Sequence, residues 1–422
     1  MVTLLIIADD FTGALDTGVQ FASSGAVTRV VTEARYDFSS AEAGVQVLVV
    51  DAETRHLTPE GAYGAVRGIV ENAVRAGIPY IYKKTDSALR GNIGSELQAV
   101  LDGSGRGRIH FIPALPGMGR VTVDGVHYVD GVPVAEGVFG RDPFEPVKSS
   151  GVAEIIAEQT GTPVHLHKGY TRKRYQPGIH VHDAATGREV EEIAEWLKAG
   201  GELGLTAGCA GFAAALPGLL ELEGRRPKKY PLSPALLVVC GSVNPITQAQ
   251  LDDAEKHGFA RVRLTPAQKL DPAWLYSEEC QRAVTAWINQ LSAKRRWILD
   301  ANDLGAGETL AYAGELGLTR EELRVRISTT LGGLLKRLLE QGAEGTLLLT
   351  GGDTLLAFMR QIGVGELIPA WEVAPGVVLS RLGYQGKAYD VITKSGGFGE
   401  RSLLTELAAG ICTQRDEEEK IC

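Results

Sequence analysis

Cysteine is scarce in this chain and poorly placed for bonding. Five cysteines occur in 422 residues, Cys209, Cys240, Cys280, Cys412 and Cys422. Their number is odd, their spacings are wide and no CxxC occurs, which argues against a disulfide framework or a zinc site. Cys209 and Cys240 read instead as fillers of small core spaces. Positive charge is also short: the formal net charge is −9. A general nucleic-acid or anionic-membrane surface needs a basic stripe, so both are excluded as partners. A small anionic ligand stays open, because it needs only a few local cations. Long hydrophobic runs are missing too. The opening run, Val2 to Ala8, is too short to span a bilayer or to form a secretory core, and no basic region precedes it. A cytoplasmic protein is the plain expectation. There is no repeat of fixed period, no Walker GxxxxGK followed by Ser or Thr, and no full GxGxxG with a trailing acid.

The length favours two domains over a single core. Hydrophobic residues make up 44% and charged residues 23%, ordinary globular values. The stretch that organises the rest is MVTLLIIADDFTGALDTG at the start of the chain. Its apolar run, broken only by Thr3, reads as a strand buried on both faces of a parallel sheet. It stops at Asp9 and Asp10 and passes through Thr12-Gly13 into a helix ending near Ser24. Such a turn lies at the carboxyl edge of an open α/β sheet, where these folds bind ligands. Two adjacent acids are a poor grip for phosphate. They suit hydroxyl groups, a metal ion or a proton to be removed, whereas a helix cap would use only one of them.

The pattern of strand, polar turn and helix then repeats. Val27–Thr32 and Val45–Val50 read as strands, Pro59–Ala76 as a helix and Tyr80–Tyr82 as a strand ending in Lys83-Lys84-Thr85-Asp86-Ser87. Ile93–Leu101 reads as a helix and Ile109–Ile112 as a strand. Val121–Ser150 breaks the rhythm with turn residues, as a hairpin arm or a lid would. His165/His167 and His180/His182 alternate, so each pair shares a strand face; with no third ligand type nearby, no metal site is assigned. Gly208–Ala213 is a small-residue segment suited to close backbone approach. Residues 1–221 are assigned to a first domain, 222–233 to a linker containing GRRPKKYP, and 234–422 to a second domain. There the strands Ala235–Cys240, Trp297–Leu299, Thr346–Leu349 and Tyr389–Thr393 alternate with the helices Ile246–His257 and Arg320–Gln341 and one ending near Ile362. A last helix covers Arg401–Gly410, and RDEEEK at 415–420 reads as a frayed, solvated tail. The fold class expected is α/β, each domain an open, mostly parallel sheet flanked by helices, with the active site in the cleft between them.

The two halves differ in chemistry. Three strand-to-helix turns of the second carry glycine: Gly241-Ser242, Gly351-Gly352-Asp353-Thr354 and Ser395-Gly396-Gly397-Phe398-Gly399. Glycine lets backbone N–H groups approach an anion, and a helix N-terminus adds about half a positive charge. Together they favour a nucleotide site. The strand ends of the first half carry Asp9, Asp10, Arg55, Lys83, Lys84, Asp86 and Arg90 instead. Cations able to pair with a carboxylate, beside acids able to accept hydroxyl protons, suit a small polyhydroxy acid. Structural ion pairing is the competing account of Lys83, Asp86 and Arg90. Phosphoryl transfer between the two ligands is the economical reaction. A hydroxy-acid dehydrogenase would want the missing GxGxxG, and a non-catalytic sugar-acid sensor would bind without consuming ATP.

On these residues the chain resembles the four-carbon acid sugar kinase family. The matching pieces are IADDFTGALDTGVQF at 7–21, ETRHL at 53–57, YKKTDSALRGNIGSEL at 82–97 and PALPGMGR at 113–120, followed by CGSVNPITQAQ at 240–250, TGGDT at 350–354 and TKSGGFG at 393–399. The KKTDS…LRGN form is closer to the D-threonate and D-erythronate branch than to the 3-oxo-tetronate branch. The resemblance implies an ATP- and Mg²⁺-dependent kinase acting on the terminal hydroxyl of a four-carbon sugar acid, with a homodimer left open. It implies substrate binding by Asp10, with Asp9 as the alternative, by Arg55 and by Lys83, Lys84, Thr85 and Asp86, to which the reading of the strand ends adds Arg90. Nucleotide binding falls to Ser242, Gly351, Gly352, Asp353, Thr354, Gly396 and Gly397. Asp10 and Asp353 are the two candidates for the catalytic base. Ala88 stands where the family pattern has threonine and Cys209 where it has serine.

Overall fold

A computed structural model describes residues 2–33, 36–38, 41–142, 145–168, 175–305, 307–394 and 397–418, with side chains to residue 410. The chain forms two compact units, Met1–Pro227 and Lys228–Cys422.

Eight parallel strands make the main sheet of the first unit, in the order Thr28–Val31, Val47–Asp51, Leu4–Ala8, Tyr80–Lys84, Leu205–Gly208, Arg108–Ile112, Gly178–His182 and Val164–His167. Leu4–Ala8 is buried along its whole length, as its unbroken apolar run requires of a strand covered on both faces. From it the chain goes outward to Thr28–Val31, returns to Val47–Asp51, then crosses to Tyr80–Lys84 on the other side. This reversal is the switch point of the sheet, where loops part and leave a crevice at the carboxyl edge. The helices start as their sequences dictate. Asp10 caps Phe11–Ser23 by accepting from the Gly13 N–H, and Thr58 caps Pro59–Arg75, which has proline in its first turn. Thr186 and Glu189 form a capping box on Gly187–Ala199. The close approach expected in Gly208–Ala213 is present: a Cβ on Gly211 would lie 2.4 Å from the Ala114 carbonyl oxygen. The turn-rich excursion contains an antiparallel meander, Arg120–Val123, Val126–Val129 and Val132–Pro133.

In the second unit the order is Ala260–Arg263, Arg296–Asp300, Leu236–Cys240, Thr346–Thr350, Lys387–Lys394, Val377–Tyr384 and Glu366–Ala374. The first five strands are parallel and the last two add on antiparallel. Ala260–Arg263, the long helix Glu278–Lys294 and the strands Glu366–Ala374 and Val377–Tyr384 are absent from the sequence reading. The last helix runs from Leu403 to Glu418, into the charged tail read as frayed chain; residues 419–422 lie outside the described residues.

The alternating histidines share one face, and His110 on the neighbouring strand joins them. His110 registers with His180, His180 with His165, and His182 with His167. The Nδ1 of His110 lies 3.0 Å from Nε2 of His182, and Nε2 of His167 lies 2.9 Å from Nδ1 of His180. Among the described residues no cluster of His, Cys, Asp and Glu is arranged to hold a metal ion. Burial, reinforced by neighbouring rings, pushes His110 down to about 2, His180 to about 4 and His182 to about 3. In the unfolded chain these rings take up protons near pH 6.5, whereas the folded ones stay neutral until far lower. The unfolded state therefore binds more protons in that window, so stability falls as pH drops from about 6.5 towards 4. Each ring contributes on the order of 1.4 kcal/mol per pH unit. Urea unfolding at pH 7.5, 6.0 and 5.0 checks this; a midpoint unchanged at pH 5.0 would contradict it.

Candidate functional site

Two carboxyl edges hold the residues singled out from the sequence. At the switch point of the first unit, Arg55 is the hub. Its Nε donates to Asp9 Oδ2 at 2.8 Å and its Nη1 to Asp10 Oδ2 at 2.9 Å. Its Nη2 lies 2.8 Å from both Asp9 Oδ2 and Asp10 Oδ1, and 3.7 Å from Asp86 Oδ1. Lys84 Nζ reaches within 3.9 Å of Asp9 Oδ1. Gly13 makes this crowding feasible, because a Cβ there would lie 2.4 Å from Lys84 Nζ and 2.5 Å from Asp10 Oδ1.

Electrostatics keep the set charged. Burial works to raise the Asp9 carboxyl, but Arg55, Lys84 and Lys83 outweigh it and hold it below the ordinary range. Burial acts on Asp86 in the same way and is overcome by Arg90 and Arg55. Desolvation pulls Lys84 down while Asp9 and Asp10 carry it above its usual value. Asp51, buried at the end of its strand, behaves oppositely: desolvation with Glu53 and Asp10 nearby pushes its carboxyl well above the ordinary range.

Adjacent positions on a strand face opposite sides, and this separates the two lysines. Lys83 is fully buried and lies 3.0 Å from Glu96 Oε2, also fully buried, on the helix Ile93–Ser104. Its Nζ donates to the Lys84 carbonyl at 2.6 Å, and Thr54 donates to the other Glu96 oxygen. Thr85 is buried, its N–H on the Gly208 carbonyl at 2.8 Å. Asn92, not singled out in the sequence, donates to the carbonyls of Thr54 and Leu57 at 2.9 Å each and braces the loop that carries Arg55. Arg90 grips Asp86 with two bonds, Nε to Oδ2 at 2.8 Å and Nη2 to Oδ1 at 3.0 Å. Between them Leu89 has φ +63°, a strained state for leucine that costs about 1–3 kcal/mol. Cys209 is buried, its Sγ donating to the Pro113 carbonyl oxygen at 3.2 Å. Exposure divides the group: the side chains of Asp10 and Arg90 are each 25% exposed, that of Asp9 only 2%.

At the edge of the second unit, Leu236–Cys240, Thr346–Thr350 and Lys387–Lys394 are neighbours, so their three following turns lie side by side. A Cβ on Gly241 would sit 2.2 Å from Thr354 Oγ1, one on Gly351 3.8 Å from the Ser242 N, and one on Gly397 3.8 Å from Asn244 Nδ2. Ser395 and Gly396 lie outside the described residues. Gly351 has φ +94°, and Gly352 opens the helix Gly352–Ile362. Asn244 caps Pro245–Lys256 by accepting from the Ile246 N–H at 2.9 Å. Two helix N-termini therefore point at one glycine-lined edge, an arrangement that attracts phosphate. Asp353, in the first turn of its helix, pairs with Arg324 Nη1 at 2.6 Å. Lys394 is buried with its Nζ 3.0 Å from Thr247 Oγ1, and desolvation brings it down to about 8.

One ion-paired edge and one glycine-lined edge thus define a two-unit α/β protein built for two different ligands. Residues 4–216 match the model of a sugar-binding N-terminal domain, and residues 237–404 that of a nucleotide-binding C-terminal domain. The chain is 33% identical over 425 residues to the D-threonate kinase of Salmonella typhimurium, covering 96% of this chain and 97% of that protein. It is 28% identical over 428 residues to the D-erythronate kinase of Heliobacterium modesticaldum, covering 94% of each. A solved Salmonella typhimurium structure shares the fold with a TM-score of 0.78 at 21% identity, over 97% of this chain and 99% of that one. The chain belongs to the four-carbon acid sugar kinase family.

Proposed function

We propose that this protein transfers the γ-phosphoryl group of ATP to the terminal hydroxyl of a four-carbon sugar acid, D-threonate or D-erythronate first. The observation that carries the reading is the Arg55-centred array, in which Asp10 is the acid left open to a ligand. Arg55 already spends its fork on Asp9 and Asp10, so its work is to fix their geometry. Asp10 orients the attacking hydroxyl, and Arg90 with Lys84 meets the substrate carboxylate. Asp9 and Asp86 hold these cations in place. Lys83 and Thr85 support the strand end from beneath.

The edge formed by Ser242, Gly351–Thr354 and Gly397 suits a triphosphate, because two helices begin there beside glycine turns whose N–H groups can approach an anion. Mg²⁺ rides on nucleotide phosphates and takes one or two carboxylates from a protein. Asp353 is the acid at that edge suited to hold it, and the ion would neutralise charge on the transferring group. Asp10 thereby becomes the preferred proton acceptor. A loose transition state asks little of a base, so position is its main contribution.

A coupled ADP-release assay across four-carbon acids tests the reading. ADP release with D-threonate or D-erythronate is expected, and release with a 3-oxo-tetronate alone would move the protein to the other branch. Binding of an acid without ADP release would make it a sensor. Asp10→Asn is expected to lose ~100-fold in kcat through misplacement of the hydroxyl; wild-type turnover would remove Asp10 from the site.

A further inference from the structure

The excursion that interrupts the α/β rhythm grips the turn Asp86–Arg90 from outside. Its meander is tied to the sheet unit by paired backbone bonds of 3.0 Å between Thr122 and Ala184 in both directions. From it, His127, fully buried, places Nε2 2.9 Å from the Ser87 carbonyl oxygen. Its Nδ1 lies 3.0 Å from Thr122 Oγ1, which is equally buried. A carbonyl only accepts, so Nε2 carries the proton and Nδ1 accepts from the threonine hydroxyl. Burial keeps the ring neutral, with its pKa down at about 4. Further along the same excursion, Asp142 Oδ2 accepts from Arg90 Nη1 at 3.2 Å, and the Arg90 guanidinium lies 5.1 Å from the centre of the Phe139 ring.

The turn they hold is one that a free chain would not keep. Leu89 and Gly91 both have positive φ, +63° and +86°. Asp86 Oδ2 accepts from the Ala88 and Arg90 N–H groups at 3.3 and 3.2 Å, so Asp86 and Arg90 are set by the same backbone. Conformations of this kind persist only where surrounding structure imposes them. We propose that His127 is a positioning residue for sugar-acid binding: its bond to the Ser87 carbonyl fixes the turn that presents Asp86 and Arg90. The proposal rests on the reading of that turn as acid-binding.

Three variants decide it in the full chain. His127→Leu removes the donor, His127→Gln returns an N–H donor at similar reach, and Thr122→Val removes the bond that sets the tautomer. His127→Leu is expected to raise KM for the sugar acid tenfold or more, with KM for ATP changed less than twofold. His127→Gln should restore most of the difference, and Thr122→Val should move KM in the same direction by less. An unchanged acid KM in His127→Leu, or equal changes in both KM values without rescue by glutamine, overturns the proposal. Should wild-type protein phosphorylate no four-carbon acid, the function reading fails separately and amide exchange decides the positioning role. Exchange at Ala88 and Arg90 must then rise in His127→Leu and fall back in His127→Gln. No rise, or a rise across the whole unit, rejects it. Should His127→Leu not fold, Thr122→Val carries the same readouts.

Discussion

Arg55→Ala is expected to destroy sugar-acid binding and to destabilise the N-terminal unit by about 3–5 kcal/mol, the usual cost of breaking a buried ion pair from one side. The side chain is 11% exposed and bonds to two acids at once, one of which is 2% exposed. Without it, Asp9 keeps Lys84, at 3.9 Å, and the weaker influence of Lys83 against burial that already works to neutralise the carboxylate. Its proton affinity should then rise, so the variant loses further stability as pH rises through the new value. Arg55→Lys should recover part of the stability and little of the affinity, since a single ammonium cannot span both carboxylates as the fork does. Asp9→Asn in the Arg55→Ala background removes the stranded charge and should return a substantial share of the lost stability. The coupling energy from that double-mutant cycle isolates the pair. Urea unfolding and acid titration by calorimetry are the measurements. Full stability and unchanged acid affinity in Arg55→Ala would show that the hub does not shape this edge.

How much of this edge the sequence disclosed depends on the kind of information required. Asp9, Asp10, Arg55, Lys84 and Asp86 were legible because each follows an apolar run, and a parallel sheet brings such ends together at one edge. The opposed directions of Lys83 and Lys84 were legible in principle from the two-residue period of a strand. The partner was not: Glu96 meets Lys83 only because the helix Ile93–Ser104 packs across the sheet, a tertiary fact. His127 was hidden for another reason. It lies in a turn-rich segment without regular period, and its target is a backbone carbonyl, which leaves no side-chain pattern to read. In the second unit the glycine turns were legible and their alignment followed from the strand order. The hairpin Glu366–Ala374 and Val377–Tyr384 went unread, although Gly376 between two β-rich runs and Gln385-Gly386 before the next strand are hairpin signals. The ion pair between Asp353 and Arg324 joins residues far apart in sequence, so nothing local announces it.

Gly241→Val should abolish ATP binding, by ~100-fold or more in Kd, while leaving sugar-acid binding in the other unit intact. The new Cβ would meet Thr354 Oγ1 at 2.2 Å and Leu331 Cδ1 at 3.2 Å. A valine brings two further methyl groups into this gap between Thr354 and Leu331, and parting the two glycine turns to fit it moves the backbone N–H groups and the start of Gly352–Ile362 that would face the phosphates. Gly351→Ala probes the same edge by a different route. Its Cβ finds no atom closer than 3.7 Å, so space is not the issue. The backbone there, φ +94° and ψ +123°, is one that L-residues avoid, and the peptide must rotate to relieve it. Gly342→Ala supplies the control, with φ +91° and open space around its Cβ, at the end of a helix away from these turns. Strain alone predicts that Gly342→Ala and Gly351→Ala both lose stability; only a phosphate site at this edge predicts that Gly351→Ala also loses ATP affinity. Isothermal titration with ATP separates the two accounts, and unchanged affinity in Gly241→Val and Gly351→Ala together would take the nucleotide away from this edge altogether.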